Sequence, residues 1–210
     1  MFRTRIKFCG IRRAADAKSA VDLGVDAIGF VLVPQSKRFI AAERAAKLRT
    51  QLPPFVSAVA LFMDASAADV RRAIEVLQPD LLQFHGREEP SFCAAFGLPY
   101  VKAIAMGGVS TPAREERRFR AAAALLLDSH VPGAMGGRGE TFDWSKVAKL
   151  RRPVVLAGGL TPHNVGQGIR RLRPYAVDVS SGIELKPGVK DLDKMRAFVK
   201  AVRRADETAK

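Results

Sequence analysis

The chain has 210 residues and a net charge of +14, from 35 Lys and Arg against 21 Asp and Glu. Its hydrophobic fraction of 48% is ample for a packed core, and no apolar run is long enough to span a membrane. Two cysteines without paired spacing argue against a disulfide framework, and the N-terminus has no signal-peptide pattern, so we expect a cytoplasmic protein.

Apolar, β-rich segments alternate with helical patterns along the whole chain. The predicted strands cover residues 5–9, 27–31, 57–62, 81–84, 100–105, 123–127, 153–156 and 175–179. The predicted helices cover residues 14–23, 41–52, a segment through 70–77, 90–96, a segment from 143 through 150, 164–172 and 192–203. The pattern of residues 111–120 is compatible with either a short helix or an irregular segment. Residues 64–66 offer an N-cap for the third helix, and Asp143 offers one for the sixth.

Strict alternation of strands and helices predicts a parallel sheet with helices outside. Eight such units in a chain of this length predict a single (β/α)8 TIM barrel, with one catalytic domain over residues 1–210. A doubly wound open sheet is the alternative, but it would use fewer strands and place a glycine-rich turn after the first one. Here the glycine clusters follow strands six to eight.

In such a barrel, the carboxyl ends of all strands meet on the face where catalytic residues are found. The residues that fall there include a thiol, a guanidinium, an imidazole, two carboxylates, glycines and serines. They are Cys9, Arg38, His85, Asp128, Gly158, Gly159, Asp178, Ser180, Ser181 and Gly182. This set contains a base, an acid, a cation and the composition of a phosphate site.

Glycine follows both of the last two strands, at Gly158-Gly159 and at Ser181-Gly182. Barrels often hold a phosphate between these two loops, where backbone N–H groups and a helix N-terminus face the anion. The alternative is that the glycines only permit tight turns. Because both loops match, we predict a phosphate site formed by Gly158, Gly159, Ser181 and Gly182.

Two residues are candidates for proton transfer. Asp128 ends an apolar strand, and desolvation there is expected to raise its pKa, as a general acid requires. By itself, this position is more typical of a cap or a structural ion pair. Cys9 ends the first strand; a lone buried cysteine is usually a small hydrophobe, but Lys7 on the same face favours a reactive thiolate. Taken alone, His85 and Arg38 also have ordinary structural or surface interpretations.

The excess positive charge is dispersed. Paired arginines such as Arg71-Arg72 and Arg170-Arg171 recur along the chain without interleaved aromatic residues, which is typical of solvated helices rather than of a nucleic-acid surface. No His, Cys or Asp cluster has metal-ligand spacing, and His130 and His163 only flank turns. We therefore expect no nucleic-acid partner, no membrane association and no metal.

Several motifs, in their order along the chain, resemble those of the phosphoribosylanthranilate isomerase family. They are Lys7-Phe8-Cys9-Gly10-Ile11, Asp26-Ala27-Ile28-Gly29-Phe30 with Ser36-Lys37-Arg38, Leu82-Gln83-Phe84-His85-Gly86, Leu127-Asp128 with Gly136-Gly137-Arg138-Gly139, Leu156-Ala157-Gly158-Gly159-Leu160, and Asp178-Val179-Ser180-Ser181-Gly182-Ile183-Glu184. Each motif is modestly specific, whereas all of them in this order are highly specific.

The resemblance implies an Amadori rearrangement of N-(5-phosphoribosyl)anthranilate to 1-(2-carboxyphenylamino)-1-deoxyribulose 5-phosphate, in tryptophan biosynthesis. It implies that Asp128 protonates the furanose oxygen and that Cys9, as a thiolate, removes the C2 proton. Arg38 would meet the anthranilate carboxylate, and His85 and Asp178 would shape or polarise the site. The resemblance implies no metal and no cofactor. The sequence leaves open whether the chain is a monomer or a homodimer.

Two positions depart from the family's pattern. Arg138 stands where Ser or Thr is common, and Lys37 stands where a proline often precedes the arginine. Another class of phosphosugar barrel remains an alternative, as does a basic nucleic-acid-binding module, which would bind oligonucleotides in a salt-sensitive way although no motif indicates it. An epimerase would require metal-ligating His and Asp at strand ends, and an aldolase would require a lysine that ends a strand, which neither Lys7 nor Lys102 does.

Overall fold

The structure, a computed structural model, describes residues 3–108, 111–131 and 141–208. Its centre is a closed barrel of eight parallel strands in chain order, which β1 closes by pairing with β8. The strands are β1 (Arg5–Cys9), β2 (Ala27–Val31), β3 (Ser57–Phe62), β4 (Leu81–Phe84), β5 (Tyr100–Ala105), β6 (Ala124–Asp128), β7 (Val154–Leu156) and β8 (Ala176–Val179). The predicted (β/α)8 barrel is confirmed, and the open sheet is ruled out because the barrel has no free edge strand.

The helices found in the described residues surround the barrel. They are α1 (Ala14–Asp22), α2 (Ala42–Arg49), α3 (Ala67–Leu77), α4 (Pro90–Ala94), α5 (Pro112–Arg118), α6 (Val165–Leu172) and α7 (Leu192–Thr208). Ser66 caps α3 as predicted, because its Oγ accepts the backbone N–H of Asp69 at 3.1 Å. In the described ranges, no helix combines the length and the apolar character needed to cross a membrane.

The prediction of a helix from residue 143 through residue 150 is wrong, because only one short turn forms there. Asp143 does cap the segment, but only a 3₁₀ turn, Trp144–Lys146, forms. The backbone N–H groups of Arg151 and Arg152 both donate to Glu116 Oε1 of α5 at 2.7 Å. These hydrogen bonds hold the chain against α5 just before β7. The segment therefore packs on this neighbouring helix and does not form a helix itself.

A short hairpin after β8 is not predicted by the sequence pattern. A 3₁₀ turn, Ser181–Ile183, leads into the antiparallel strands β9 (Glu184–Lys186) and β10 (Val189–Lys190). Its turn contains Gly188, whose φ of +78° suits glycine, and the preceding proline makes a Pro-Gly pair that signals a turn. The hairpin brings Glu184 and Lys190 to the barrel mouth.

Alternation along each strand decides which side chains enter the barrel. On β1, Phe8 faces outward and packs edge to face on Phe198 of α7, with ring centres 6.0 Å apart. Most buried apolar side chains belong to this outer layer between strands and helices. Lys7 and Cys9, on the opposite face of β1, point into the barrel. Lys7 and Cys9 are therefore positioned by a strand of the barrel itself.

Candidate active site

A cavity opens at the carboxyl ends of the strands, on the face where barrel enzymes bind their ligands. Nine of the ten residues that the sequence places at this face line it. They are Cys9, Arg38, His85, Asp128, Gly158, Gly159, Asp178, Ser180 and Ser181. The tenth, Gly182, directly follows Ser181. The apolar part of the wall includes Val31, Val33, Leu61, Met63 and Leu160.

Cys9 is the inward-facing residue at the end of β1 and is 5% exposed. Lys7, on the same face, places its Nζ 3.0 Å from both carboxylate oxygens of Asp178 on β8. A Cβ added to Gly29 would lie 2.9 Å from Cys9 Sγ and 3.0 Å from Lys7 Nζ. Thiol and ammonium thus flank the same small space, and glycine on β2 is what leaves room for both.

The resting charge of Cys9 differs from the sequence prediction. Burial raises the pKa of the Cys9 thiol and Asp178 adds to this effect, while Lys7 and Lys190 oppose it; the net pKa lies above its ordinary value. Burial lowers the pKa of Lys7, but Asp178 and Cys9 outweigh this and raise it, so Lys7 is an ammonium ion. Because burial, with Asp178, outweighs the two lysines, Cys9 is a thiol in the free site at neutral pH.

Asp128 ends β6 between two histidines. His85 places its Nε2 3.6 Å from Asp128 Oδ2, and His130 places its Nδ1 3.4 Å from Asp128 Oδ1. The backbone N–H of His130 donates to Oδ1 at 3.2 Å, and the two imidazole centres are 4.5 Å apart. Gln83 Nε2 lies 3.3 Å from His85 Nδ1. With the amide in this orientation, Nδ1 accepts and Nε2–H points towards Asp128.

The pKa predicted for Asp128 is wrong in sign. Burial raises the pKa of Asp128, but the hydrogen bond from the backbone N–H of His130 and the two adjacent imidazoles outweigh it, so the pKa lies below its ordinary value. Burial lowers the pKa of His85 to about 4 against the attraction of Asp128, and positive charge nearby, including Lys102, lowers it further. At neutral pH, Asp128 is therefore a carboxylate and His85 is a neutral imidazole.

Arg38 is held in place by the hairpin. Its Nε and one terminal nitrogen each donate to a different carboxylate oxygen of Glu184 at 2.8 Å. Lys190 donates to Glu184 Oε1 and to the carbonyl oxygen of Ser180, both at 3.0 Å. Because a guanidinium has five N–H donors, about three remain for a ligand after the two bonds to Glu184. The arginine is thus fixed in direction while still able to bind an anion.

The glycines after β7 and β8 are required by the backbone. Gly158 and Gly159 have φ of +80° and +62°, and a Cβ on Gly182 would lie 1.8 Å from the carbonyl oxygen of Leu160. The tight-turn interpretation is therefore correct. The predicted phosphate site is compatible with these turns. Among the described residues, no acceptor forms a hydrogen bond with the backbone N–H groups of Gly158, Gly159, Ser181 and Gly182. These four donors are available to an anion.

Four residues of the site were not singled out from the sequence: Gln83, His130, Glu184 and Lys190. Gln83 and Glu184 lie inside motifs quoted above, but their contacts depend on other strands and on the hairpin. His130 stands two residues after Asp128, a spacing that alone does not identify a partner. The glycine-rich segment with Arg138 lies outside the described residues.

Comparisons with known proteins identify the family to which the chain belongs. Residues 6–201 match the family model described as N-(5'phosphoribosyl)anthranilate (PRA) isomerase. The chain is 51% identical to the N-(5'-phosphoribosyl)anthranilate isomerase of Stenotrophomonas maltophilia (strain R551-3), over 99% of this chain and 96% of that protein. The solved phosphoribosyl anthranilate isomerase of Thermotoga maritima is 37% identical, with a TM-score of 0.85 over 96% of this chain and 99% of that one. Another solved chain, 36% identical with a TM-score of 0.80 over 96% and 99% of the two chains, is a phosphoribosyl anthranilate isomerase in complex with reduced 1-(o-carboxyphenylamino)-1-deoxyribulose 5-phosphate.

Proposed function

Because this chain belongs to the N-(5'-phosphoribosyl)anthranilate isomerase family, we propose that Cys9 and Asp128 are the base and the acid of its reaction. The protein is an isomerase of tryptophan biosynthesis, which converts N-(5-phosphoribosyl)anthranilate to 1-(2-carboxyphenylamino)-1-deoxyribulose 5-phosphate. The observation that carries the proposal is the cavity wall, where Cys9 and Asp128 stand on strands three apart around the barrel. A sugar bound between them would have the proposed acid on one side and the proposed base on the other.

Asp128 acts first. Its carboxylic acid donates a proton to the furanose ring oxygen, the bond from that oxygen to C1 breaks, and the anilino nitrogen supplies the electron pair of the resulting iminium ion. The Cys9 thiolate then removes the proton from C2, which gives an enolamine. The enolamine takes a proton at C1 and loses the proton of its C2 hydroxyl to become the ketone. The substrate's own nitrogen stabilises the cation, so we propose that no cofactor takes part.

The reactive protonation state is the reverse of the resting one. In the free site Cys9 is a thiol and Asp128 a carboxylate, so the reactive form differs by transfer of one proton from Cys9 to Asp128. Negative charge on the bound substrate favours the acid form of Asp128. The charges of Lys7 and Lys190 favour the thiolate. The lysine pairs therefore support catalysis by holding positive charge next to the thiol.

The remaining groups position the substrate. The free N–H groups of Gly158, Gly159, Ser181 and Gly182 would hold the phosphate. Arg38, fixed by Glu184, would bind the anthranilate carboxylate with its remaining donors. His85, a neutral imidazole, would orient the acid Asp128. Asp178 would orient the base Cys9 through its ion pair with Lys7.

All proposed site residues belong to one barrel, and we propose that residues 1–210 form a single catalytic domain. The ligand is a small phosphorylated molecule. We expect no nucleic-acid partner, because the basic residues behind the net charge of +14 are dispersed along the chain. A positive surface would instead help to attract the multiply anionic substrate. The cytoplasmic location stays a prediction from the sequence, which specifies no oligomeric state.

The activity is tested by direct turnover. Phosphoribosylanthranilate, made in situ because it is labile, is mixed with the purified chain, and the product is separated by chromatography and identified by mass. We expect conversion that depends on protein concentration, without added metal or cofactor and in the presence of a chelator. A folded chain that leaves the substrate at its spontaneous rate of decay would refute the assignment.

The raised pKa of Cys9 predicts how its reactivity changes with pH. Only the thiolate is alkylated, and a group with a raised pKa gains that form only as pH rises through the higher value. Iodoacetamide should therefore inactivate the enzyme about tenfold faster per pH unit from pH 7 to 9, without a plateau. The Lys7→Gln variant, which lacks the cation nearest to the thiol, should be inactivated more slowly at each pH. A rate already constant at pH 7 would mean that Cys9 rests as a thiolate.

A further inference from the structure

We propose that His85, Asp128 and His130 form a binding site for a divalent transition metal, Zn²⁺ in particular, and that an ion bound there inhibits the isomerase. One imidazole nitrogen of each histidine and one carboxylate oxygen lie within 4.8 Å of one another. Two histidines and a carboxylate are the protein ligands of many zinc sites that keep a fourth position open.

The separations in this cluster suit a metal better than hydrogen bonds. The contacts from Asp128 to His85 Nε2 and to His130 Nδ1 are 3.6 and 3.4 Å, longer than a good hydrogen bond. Ligand atoms at about 2.0–2.1 Å from a tetrahedral Zn²⁺ lie about 3.4 Å from one another. The two contacts are close to this value but involve different carboxylate oxygens. With one ligand atom from each residue, the separations reach up to 4.8 Å, so side-chain rotations that draw the three atoms together would complete the tetrahedron.

Two nitrogen atoms of the cluster lack a partner. His85 Nε2 and His130 Nδ1 are both inaccessible to solvent and have no hydrogen bond within the described part of the chain. Their side chains are only 11% and 4% exposed. A buried polar atom without a partner is costly, and a metal ion would satisfy both. The fourth position would face the cavity, which His85 and Asp128 both line.

Gln83 lies where a zinc-bound His85 would need an outer partner, with its Nε2 3.3 Å from His85 Nδ1. His85 needs its hydrogen on Nδ1 rather than Nε2. A half-turn of the Gln83 amide would place its oxygen, instead of its nitrogen, near Nδ1 to accept that hydrogen, as outer partners of zinc ligands do.

The cationic neighbours of the cluster do not prevent a metal from binding. Lys102 and Lys7 are the lysines whose charge acts on His85. Each is paired with a carboxylate, Lys102 with Glu88 at 2.7 Å and Lys7 with Asp178 at 3.0 Å. The net charge these pairs present to the cluster is therefore small. Asp128 supplies the negative charge that an incoming cation requires.

Inhibition follows from the ligand role of Asp128 and rests on its proposed role as the acid. A carboxylate bound to Zn²⁺ cannot carry the proton that opens the sugar ring. Binding, in contrast, depends only on the geometry of the three ligands. The two parts of the proposal can therefore be tested separately.

The experiment is a Co²⁺ titration of the chelator-treated, full-length protein, with activity measured on the same samples. We expect one equivalent of Co²⁺ to give the visible bands of a four-coordinate ion, Zn²⁺ to displace it, and turnover to fall as the site fills. His130→Gln should weaken Co²⁺ binding by more than the roughly 10- to 100-fold that loss of an outer partner costs. His163→Gln, which changes the chain's one remaining histidine, an exposed one, should bind as the original protein does.

The outcomes separate the site from the mechanism. Unchanged Co²⁺ affinity in a folded His130→Gln protein, or a near-ultraviolet band from cobalt bound to Cys9 sulfur, would overturn the site. Binding without loss of turnover would uphold the site and overturn inhibition through Asp128. His130→Asn provides a second variant with the same expected loss if the first does not fold, as judged by circular dichroism.

Discussion

Cys9→Ala is expected to lower kcat for the isomerisation by about 10²- to 10⁴-fold, the usual contribution of a positioned base. KM should change little, because the phosphate and carboxylate contacts do not involve the thiol. The protein should remain folded, since alanine fits the space of the Cys9 side chain and leaves the Lys7–Asp178 pair intact. Steady-state kinetics with phosphoribosylanthranilate made in situ measure both constants.

Cys93 provides the matched control for this experiment. It is the other cysteine of the chain, is fully buried on α4, and lies outside the cavity wall. Burial raises its pKa to about 12, so it has no thiolate at neutral pH. Cys93→Ala should keep its turnover and lose only some stability. If Cys9→Ala turned over substrate as fast as Cys93→Ala, Cys9 would not be the base.

Asp128→Asn is expected to lower kcat by a similar factor of about 10² to 10⁴, for a different reason. The amide keeps the shape of the carboxyl group and accepts the N–H of His130, but it cannot donate a proton to the ring oxygen. The reaction then stops before the sugar ring opens. Rapid-quench analysis should find intact substrate bound to the enzyme, with no open-chain species.

Two comparisons make the Asp128 result specific. Asp22→Asn, on the exposed end of α1, removes one carboxylate far from the cavity and should leave kcat unchanged. Affinity for the reduced product analogue should persist in Asp128→Asn, because that compound is already open and needs no acid. Turnover close to that of Asp22→Asn would show that another group protonates the sugar.

The sequence predicts the strands and most helices well because local patterns determine them. Periodic apolar residues place Phe8 outside and Cys9 inside, and Ser66 caps α3 in the expected way. Predictions fail where a distant contact decides the outcome. The helix after Asp143 stops early because the next residues are bound to Glu116, and no pattern within that segment records this bond.

The same reasoning explains which parts of the candidate site were predicted. The carboxyl ends of strands identify Cys9, His85 and Asp128 as neighbours once a barrel is assumed. Their charge states cannot be deduced in this way. Lys7 suggested a thiolate at Cys9, but Lys7 is bound to Asp178, and the lowered pKa of Asp128 depends on His130.

The bond between Lys7 and Asp178 also has a consequence for the newly synthesised chain. These residues are 171 positions apart and join the first strand to the last. Cys9 is therefore synthesised well before β8 and the hairpin, and it gains its neighbours only when these have emerged. Until then the barrel that buries its thiol is incomplete. Each new molecule passes through a period, set by the rate of translation, in which the proposed base lacks its neighbours and activity is absent.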